Sequence, residues 1–175
     1  RQTGMVLYSK FPFTFMSEVN DSNTLGILGR IEWMNGEQAE ELFLFSTFLN
    51  PVRDEHTRMQ LRKRLGNYAH RLSELDKPLL ACGDYNLVTW SKDLNNFRTV
   101  AGLQESRRGV LPSYPYGRFS PFDFPFDHIF YSNHFKCVSF ETISSATTPH
   151  LGIVGTYQFE NQDSIVNVKT TSQEL

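Results

Sequence analysis

The chain predicts an α/β sandwich: packed, mostly antiparallel sheets flanked by helices. Strand-like segments outnumber helical ones, several strands follow one another as meanders, and two amphipathic segments frame the short apolar run Leu79-Leu80-Ala81-Cys82. The 175 residues, 39% hydrophobic and 21% charged, suffice for one globular domain with a core of its own.

Residues 4–9 read as a short strand that stops at Lys10-Phe11-Pro12, and Asp21-Ser22-Asn23 as a turn. Residues 25–33 and 41–49 are rich in β-formers and connect through the hairpin-like Met34-Asn35-Gly36-Glu37, which makes a three-stranded meander. Pro51 breaks that pattern. Asp54 then offers a helix N-cap, and Leu61, Leu65, Tyr68, Ala69 and Leu72 recur at helical spacing, so residues 54–75 form an amphipathic helix. Its Arg58, Arg62, Lys63 and Arg64 read as a solvated face, with nucleic-acid contact as the sharper alternative.

The run Leu79-Leu80-Ala81-Cys82 reads as a buried strand. Beyond it Ser91 caps a second helix, Leu94, Phe97, Val100 and Ala101 supply its apolar side, and Gly102 ends it. A loop over residues 104–125 follows, rich in aromatics, proline and glycine; a structureless stretch of that length is functional or mobile. Strands at 126–132, 135–143 and 152–159 close a domain of residues 1–162, and residues 163–175 read as a polar tail.

Composition narrows the function. Lys plus Arg number 17 against 19 Asp plus Glu, a net charge of −2, so no global basic field favours sequence-blind nucleic-acid binding. Of the 15 phenylalanines, Phe11, Phe13, Phe15, Phe119, Phe122, Phe124 and Phe126 lie near expected loops, where they line a cleft or cover an incomplete core. Cys82 and Cys137 sit in strand-like runs and read as two buried free thiols; their spacing does not suit zinc. No apolar run reaches bilayer length and no signal-peptide pattern opens the chain. Arg1 is not an initiating residue, so the chain is read as a fragment or a processed form, and its compartment stays open.

Three clusters can carry chemistry. In Gly83-Asp84-Tyr85-Asn86 the side chains of Asp84 and Asn86 point the same way at a strand end, where a carboxylate and an amide can hold a metal or a water and stabilise an oxyanion; the same residues can also simply start a turn. The second is Asp127-His128 at the head of a strand, with His128 in a structural role. The third is His150, just before the last strand.

The ordered set Gly83-Asp84-Tyr85-Asn86, Asp127-His128-Ile129-Phe130 and Thr148-Pro149-His150 resembles the endonuclease/exonuclease/phosphatase superfamily over about residues 4–160. That resemblance implies a deoxyribonuclease I-like fold and metal-assisted hydrolysis of a phosphodiester or phosphomonoester. The stretch from Asn86 through Ala101-Gly102-Leu103 is similar to bacterial members of a branch that carries an N-terminal membrane anchor. The implied roles are Asp84 as metal ligand and activator of water, Asn86 as donor to the pentacovalent transition state, His150 on a phosphate oxygen and Asp127 as its orienter. Arg107, Arg108 and Arg118 in the long loop can grip a substrate phosphate, or be solvated loop charges.

The chain also departs from the resemblance. The family's first strands, with the Glu that binds Mg or Mn, are absent; Pro149 replaces an Asp, and Phe48 replaces a His. Those departures imply a truncated or degenerate phosphoesterase, inactive as an isolated chain, or a non-catalytic relative that acts as a binding module. They further imply a sheet edge covered by a second copy or by a preceding segment. The expected substrate is a nucleic acid or a small phosphodiester.

Overall fold

The computed structural model describes residues 5–18, 26–35, 37–114, 123–144 and 148–160. Arg118, Phe119, Phe122, the turn at residues 21–23 and the tail at 163–175 lie outside these.

Six strands form one mixed sheet. Its members are β1 (Phe13–Glu18), β2 (Gly26–Asn35), β3 (Gln38–Phe48), β4 (Leu79–Asp84), β5 (Leu103–Glu105) and β6 (Asp127–Ser132), in the order β1-β2-β3-β4-β6-β5. β3 and β4 are the parallel pair; the other neighbours are antiparallel. A parallel pair needs a long crossover, here supplied by α1 (Glu55–Ser73). β7 (Phe135–Ile143) and β8 (Gly152–Phe159) pair as a second, two-stranded sheet. The ring pairs Trp33–Phe159, at 5.8 Å, and Tyr131–Tyr157, at 5.7 Å, join the two sheets.

Both helices start where a side chain takes up orphan N–H groups. On α1 the Asp54 carboxylate accepts from Thr57 N at 2.8 Å, and Thr57 Oγ1 accepts in return from Asp54 N at 3.0 Å. On α2 (Lys92–Ala101) Ser91 Oγ accepts from Leu94 N at 3.1 Å, and Gly102 closes the helix in the left-handed region at φ 66°. The expected result for Ser91→Ala is a loss of about 1 kcal/mol, read as a lower denaturant midpoint at unchanged slope.

The helices cover one face of the large sheet. Leu61, Leu65, Tyr68, Ala69 and Leu72 of α1, with Leu94, Phe97 and Ala101 of α2, pack on Leu28, Phe45, Leu79, Ala81 and Phe130. Phe45 and Tyr68 meet edge to face at 5.1 Å. This core fixes β4 and β6, and those two strands carry the site.

Two expected elements change. Residues 5–9 carry no strand, and the first strand of the meander is Phe13–Glu18, because that segment finds the β2 ladder, from Phe13↔Ile31 to Glu18↔Ile27, across a bulge. The loop expected from residue 104 begins instead with β5, which pairs Leu103, Gln104 and Glu105 with Ser132, Tyr131 and Phe130. Three residues are too few for an alternation to show in the sequence. Both cysteines are free, with Cys137 buried and Cys82 half-buried. No helix among the described residues is long and apolar enough to cross a membrane.

Candidate active site

The site sits at one end of the large sheet, on a row that crosses three strands. Phe48 of β3 is in register with Asp84 of β4, and Asp84 with Asp127 of β6. Register places the two carboxylates side by side although 43 positions separate them in the chain. His150, from the connection between β7 and β8, completes the group: its Nδ1 lies 2.9 Å from Asp127 Oδ2. One ligand atom from each of Asp84, Asp127 and His150 falls within 4.8 Å of the others.

Local backbone shape aims Asp84. Asn86 adopts φ 48°, a left-handed conformation that asparagine tolerates. The chain therefore turns back, and Asn86 N donates to Asp84 Oδ1 at 2.9 Å, an Asx-turn. Asn86 Nδ2 donates to Asp84 Oδ2 at 3.1 Å and to Leu49 O at 2.7 Å. Turn and site are thus one device. Both side-chain amide hydrogens of Asn86 are spent on holding the carboxylate and the end of β3.

Burial pushes the Asp84 carboxyl up to about 6, and the negative charge of Asp127 adds to that rise; the Asn86 N–H and the two histidines act against it. Half-buried carboxylates set side by side repel each other, and a divalent cation offsets that repulsion. Each Asp84 oxygen accepts one N–H from Asn86 and keeps further lone-pair capacity. The two carboxylates suit a hard ion such as Mg or Mn; the imidazole is no part of that preference, since His150 Nδ1 faces Asp127 Oδ2. Asp84 and Asp127 would supply oxygen donors to such an ion.

His128 is fully buried and faces away from that group. Its Nδ1 lies 3.0 Å from Glu105 Oε2 and its Nε2 2.8 Å from Leu87 O. A carbonyl only accepts, so Nε2 carries a hydrogen, and either Nδ1 or Glu105 holds a second proton. The pair ties β5 to the loop after Asn86, a structural role.

The loop arginines differ in their surroundings. Arg107 is 5% exposed; its guanidinium donates to Leu111 O and Asp127 O and lies 4.8 Å from the Phe140 ring centroid. It braces the backbone of Asp127 from below the surface. Arg108 is exposed and donates to Cys137 O at 3.3 Å. Sequence reasoning did not find Ser113 or Tyr114, which border the site, or Glu105, which holds His128: a lone Glu, Ser or Tyr carries no motif. Tyr114 lies against the His150 ring, centroids 4.6 Å apart.

Solved structures share this fold. The chain is similar to the catalytic domain of human nocturnin with a bound sulfate anion, at 16% identity and TM-score 0.65, covering 86% of this chain and 60% of that one. It is similar to the Bacteroides thetaiotaomicron mannosyl-6-phosphatase Bt3783 at 14% identity and TM-score 0.63, covering 86% and 68%. It is also similar to D. rerio TDP2 complexed with a single-strand DNA product, at 14% identity and TM-score 0.63, covering 83% and 68%. No curated protein matches the sequence significantly. The profile of the Endonuclease/Exonuclease/phosphatase family matches residues 1–150, and the chain, with its mixed six-stranded sheet and smaller second sheet, belongs to that family.

Proposed function

We propose that this domain hydrolyses a phosphoester with the help of a divalent cation. The observation that carries the reading is the convergence of Asp84, Asp127 and His150 at one sheet end, with Asp127 bonded to His150. Similarity to a phosphatase and to a DNA-bound protein supports the substrate class, a phosphodiester or phosphomonoester.

Asp84 and Asp127 would hold Mg or Mn, whose chemistry when bound would be to polarise a phosphoryl oxygen and offset charge that builds up in the transition state. The chain's own groups do the rest. Asp84, aimed by Asn86, accepts a proton from the attacking water. Asp127 holds His150 through Nδ1, which leaves Nε2 free to donate to a phosphate oxygen when the ring is protonated. Asn86 orients Asp84, and contact with the transition state would draw its amide away from Leu49 O. Arg107 braces Asp127; Arg108 is the exposed arginine of the two and the one available to a substrate phosphate.

The inactivity expected from Pro149 and Phe48 gains no support from the comparisons. Phe48 still bears on the second reading, a binding domain without turnover, because an apolar ring stands beside Asp84 in the site row. Titration decides between them. Mg or Mn added to the purified chain, with His150 and Asp127 followed by NMR, is expected to give saturable shifts that Asp84→Ala abolishes. Release of p-nitrophenol from bis(p-nitrophenyl) phosphate is expected to depend on the same metal. Saturable shifts without turnover on mono- or diesters would favour the binding reading; no shift at millimolar metal would overturn the proposal.

A further inference from the structure

The geometry points to Ser113 as the positioning residue of the Asp127–His150 pair. This inference rests on the hydrolytic reading only for its kinetic consequence; its structural part stands alone.

Ser113 is completely buried. Its Oγ accepts two successive backbone N–H groups, Phe126 N at 3.1 Å and Asp127 N at 3.0 Å. A hydroxyl oxygen has two lone pairs, and both are used. The peptide that launches β6 is thereby fixed, and with it the direction of the Asp127 Cα–Cβ bond. On its other side Ser113 O accepts from Leu151 N at 2.8 Å, which fixes the peptide after His150. His150 needs such a fixture, since residues 148–151 belong to no helix or strand. The next residue, Tyr114, lies against the imidazole. One serine thus bonds Asp127 N and the N–H that follows His150, and the side chains of Asp127 and His150 meet 2.9 Å apart.

The hydroxyl and the carbonyl have separable effects. Ser113→Ala keeps the Leu151 bond and removes the acceptor for Phe126 and Asp127, leaving two N–H groups without their partner. The expected consequence is a looser Asp127 and a weaker bond to His150, while the remainder of the sheet stays in register.

The test is NMR of the His150 ring together with steady-state kinetics. In the wild type a hydrogen-bonded Nδ1–H resonance is expected for His150, and the amides of Phe126, Asp127 and Leu151 should be protected from exchange like those of β6. In Ser113→Ala the ring resonance should broaden or shift, and kcat should fall about tenfold with KM nearly unchanged, in the range typical of residues that orient a site's ligands. Ser91→Ala, which removes the cap bond from Leu94 N on α2, serves as the control for simple destabilisation and should leave both readouts at wild-type values. A folded Ser113→Ala protein with an unaltered His150 resonance overturns the inference. If that variant does not fold, rapid exchange of the Asp127 amide in the wild type overturns it, and protection supports it. A wild type that hydrolyses no phosphoester, but whose His150 resonance responds to Ser113→Ala, sinks the hydrolytic reading and leaves the positioning role standing.

Discussion

Asp84→Asn is expected to remove phosphoester turnover, lowering kcat/KM by roughly 10³-fold, which corresponds to about 4 kcal/mol of transition-state stabilisation. The substitution keeps size and shape but removes the charge that would hold a cation and take a proton from water. It also places an NH2 group where Asn86 Nδ2 now donates to Oδ2, so the clamp on the side chain loosens. The same variant carries a signature in stability. The Asp84 carboxyl is raised to about 6 in the fold, first by burial, from 3.8 as the ordinary value. A group raised in this way favours the folded state below pH 4, where both states are protonated, and that contribution is lost as pH rises through about 6. Unfolding followed between pH 4 and 7.5 without added metal should show the wild type losing stability relative to Asp84→Asn across that window. Millimolar Mg should restore the wild type at pH 7.5 and leave the variant unmoved. Parallel pH curves for the two proteins would show that Asp84 is not a perturbed carboxylate, and turnover retained by the variant that it is not the base.

Much of the fold was legible because its signals are local. The period of Leu61, Leu65, Tyr68, Ala69 and Leu72 marks α1, and the cap residues Asp54, Ser91 and Gly102 mark helix ends within a residue or two. The last three strands fall where apolar alternation places them. Long-range pairing is what the sequence withholds. β1 is decided by a ladder to β2, and the segment at residues 5–9, which also reads as a strand, stays outside the sheet. β5 exists only because β6 offers it an edge. The same division runs through the site. Asp84, Asn86, Asp127 and His150 stand in short motifs and could be named from them. Ser113 and Glu105 act through hydrogen bonds that span 14 and 23 residues, and no local pattern encodes such partners. Arg107 shows the cost of reading charge without depth: its guanidinium lies buried against Leu111 and Asp127, a brace within the protein.

Gly83→Ala should do more damage to the fold than any other single methyl added at a described glycine. Gly83 has φ 149°, which side chains rarely adopt, and a Cβ there would sit 1.9 Å from Thr47 O, with Thr47 C and Thr47 N at 2.9 and 3.1 Å. These are backbone atoms of the paired strand, Thr47↔Gly83 being adjacent in the ladder to Phe48↔Asp84. No rotamer change can clear them; β3 and β4 must separate at the row next to the site. Unfavourable φ costs of order 1–3 kcal/mol, and parting a buried ladder adds to it, so about 3 kcal/mol or more is expected. For a domain of this size that corresponds to a fall in Tm of roughly 6–12 °C. Gly102→Ala separates the two causes: its φ of 66° is also left-handed, but a Cβ there meets no atom within 4 Å, so it should cost only about 1–2 kcal/mol. Calorimetry on the two variants reads the difference directly. Equal losses would mean that backbone conformation alone explains both, and that β3 and β4 do not approach each other as closely as Gly83 permits. A larger loss in Gly83→Ala, joined to a weaker bond between Asp127 and His150, would mean that the tight β3–β4 contact is what holds the carboxylate row in place.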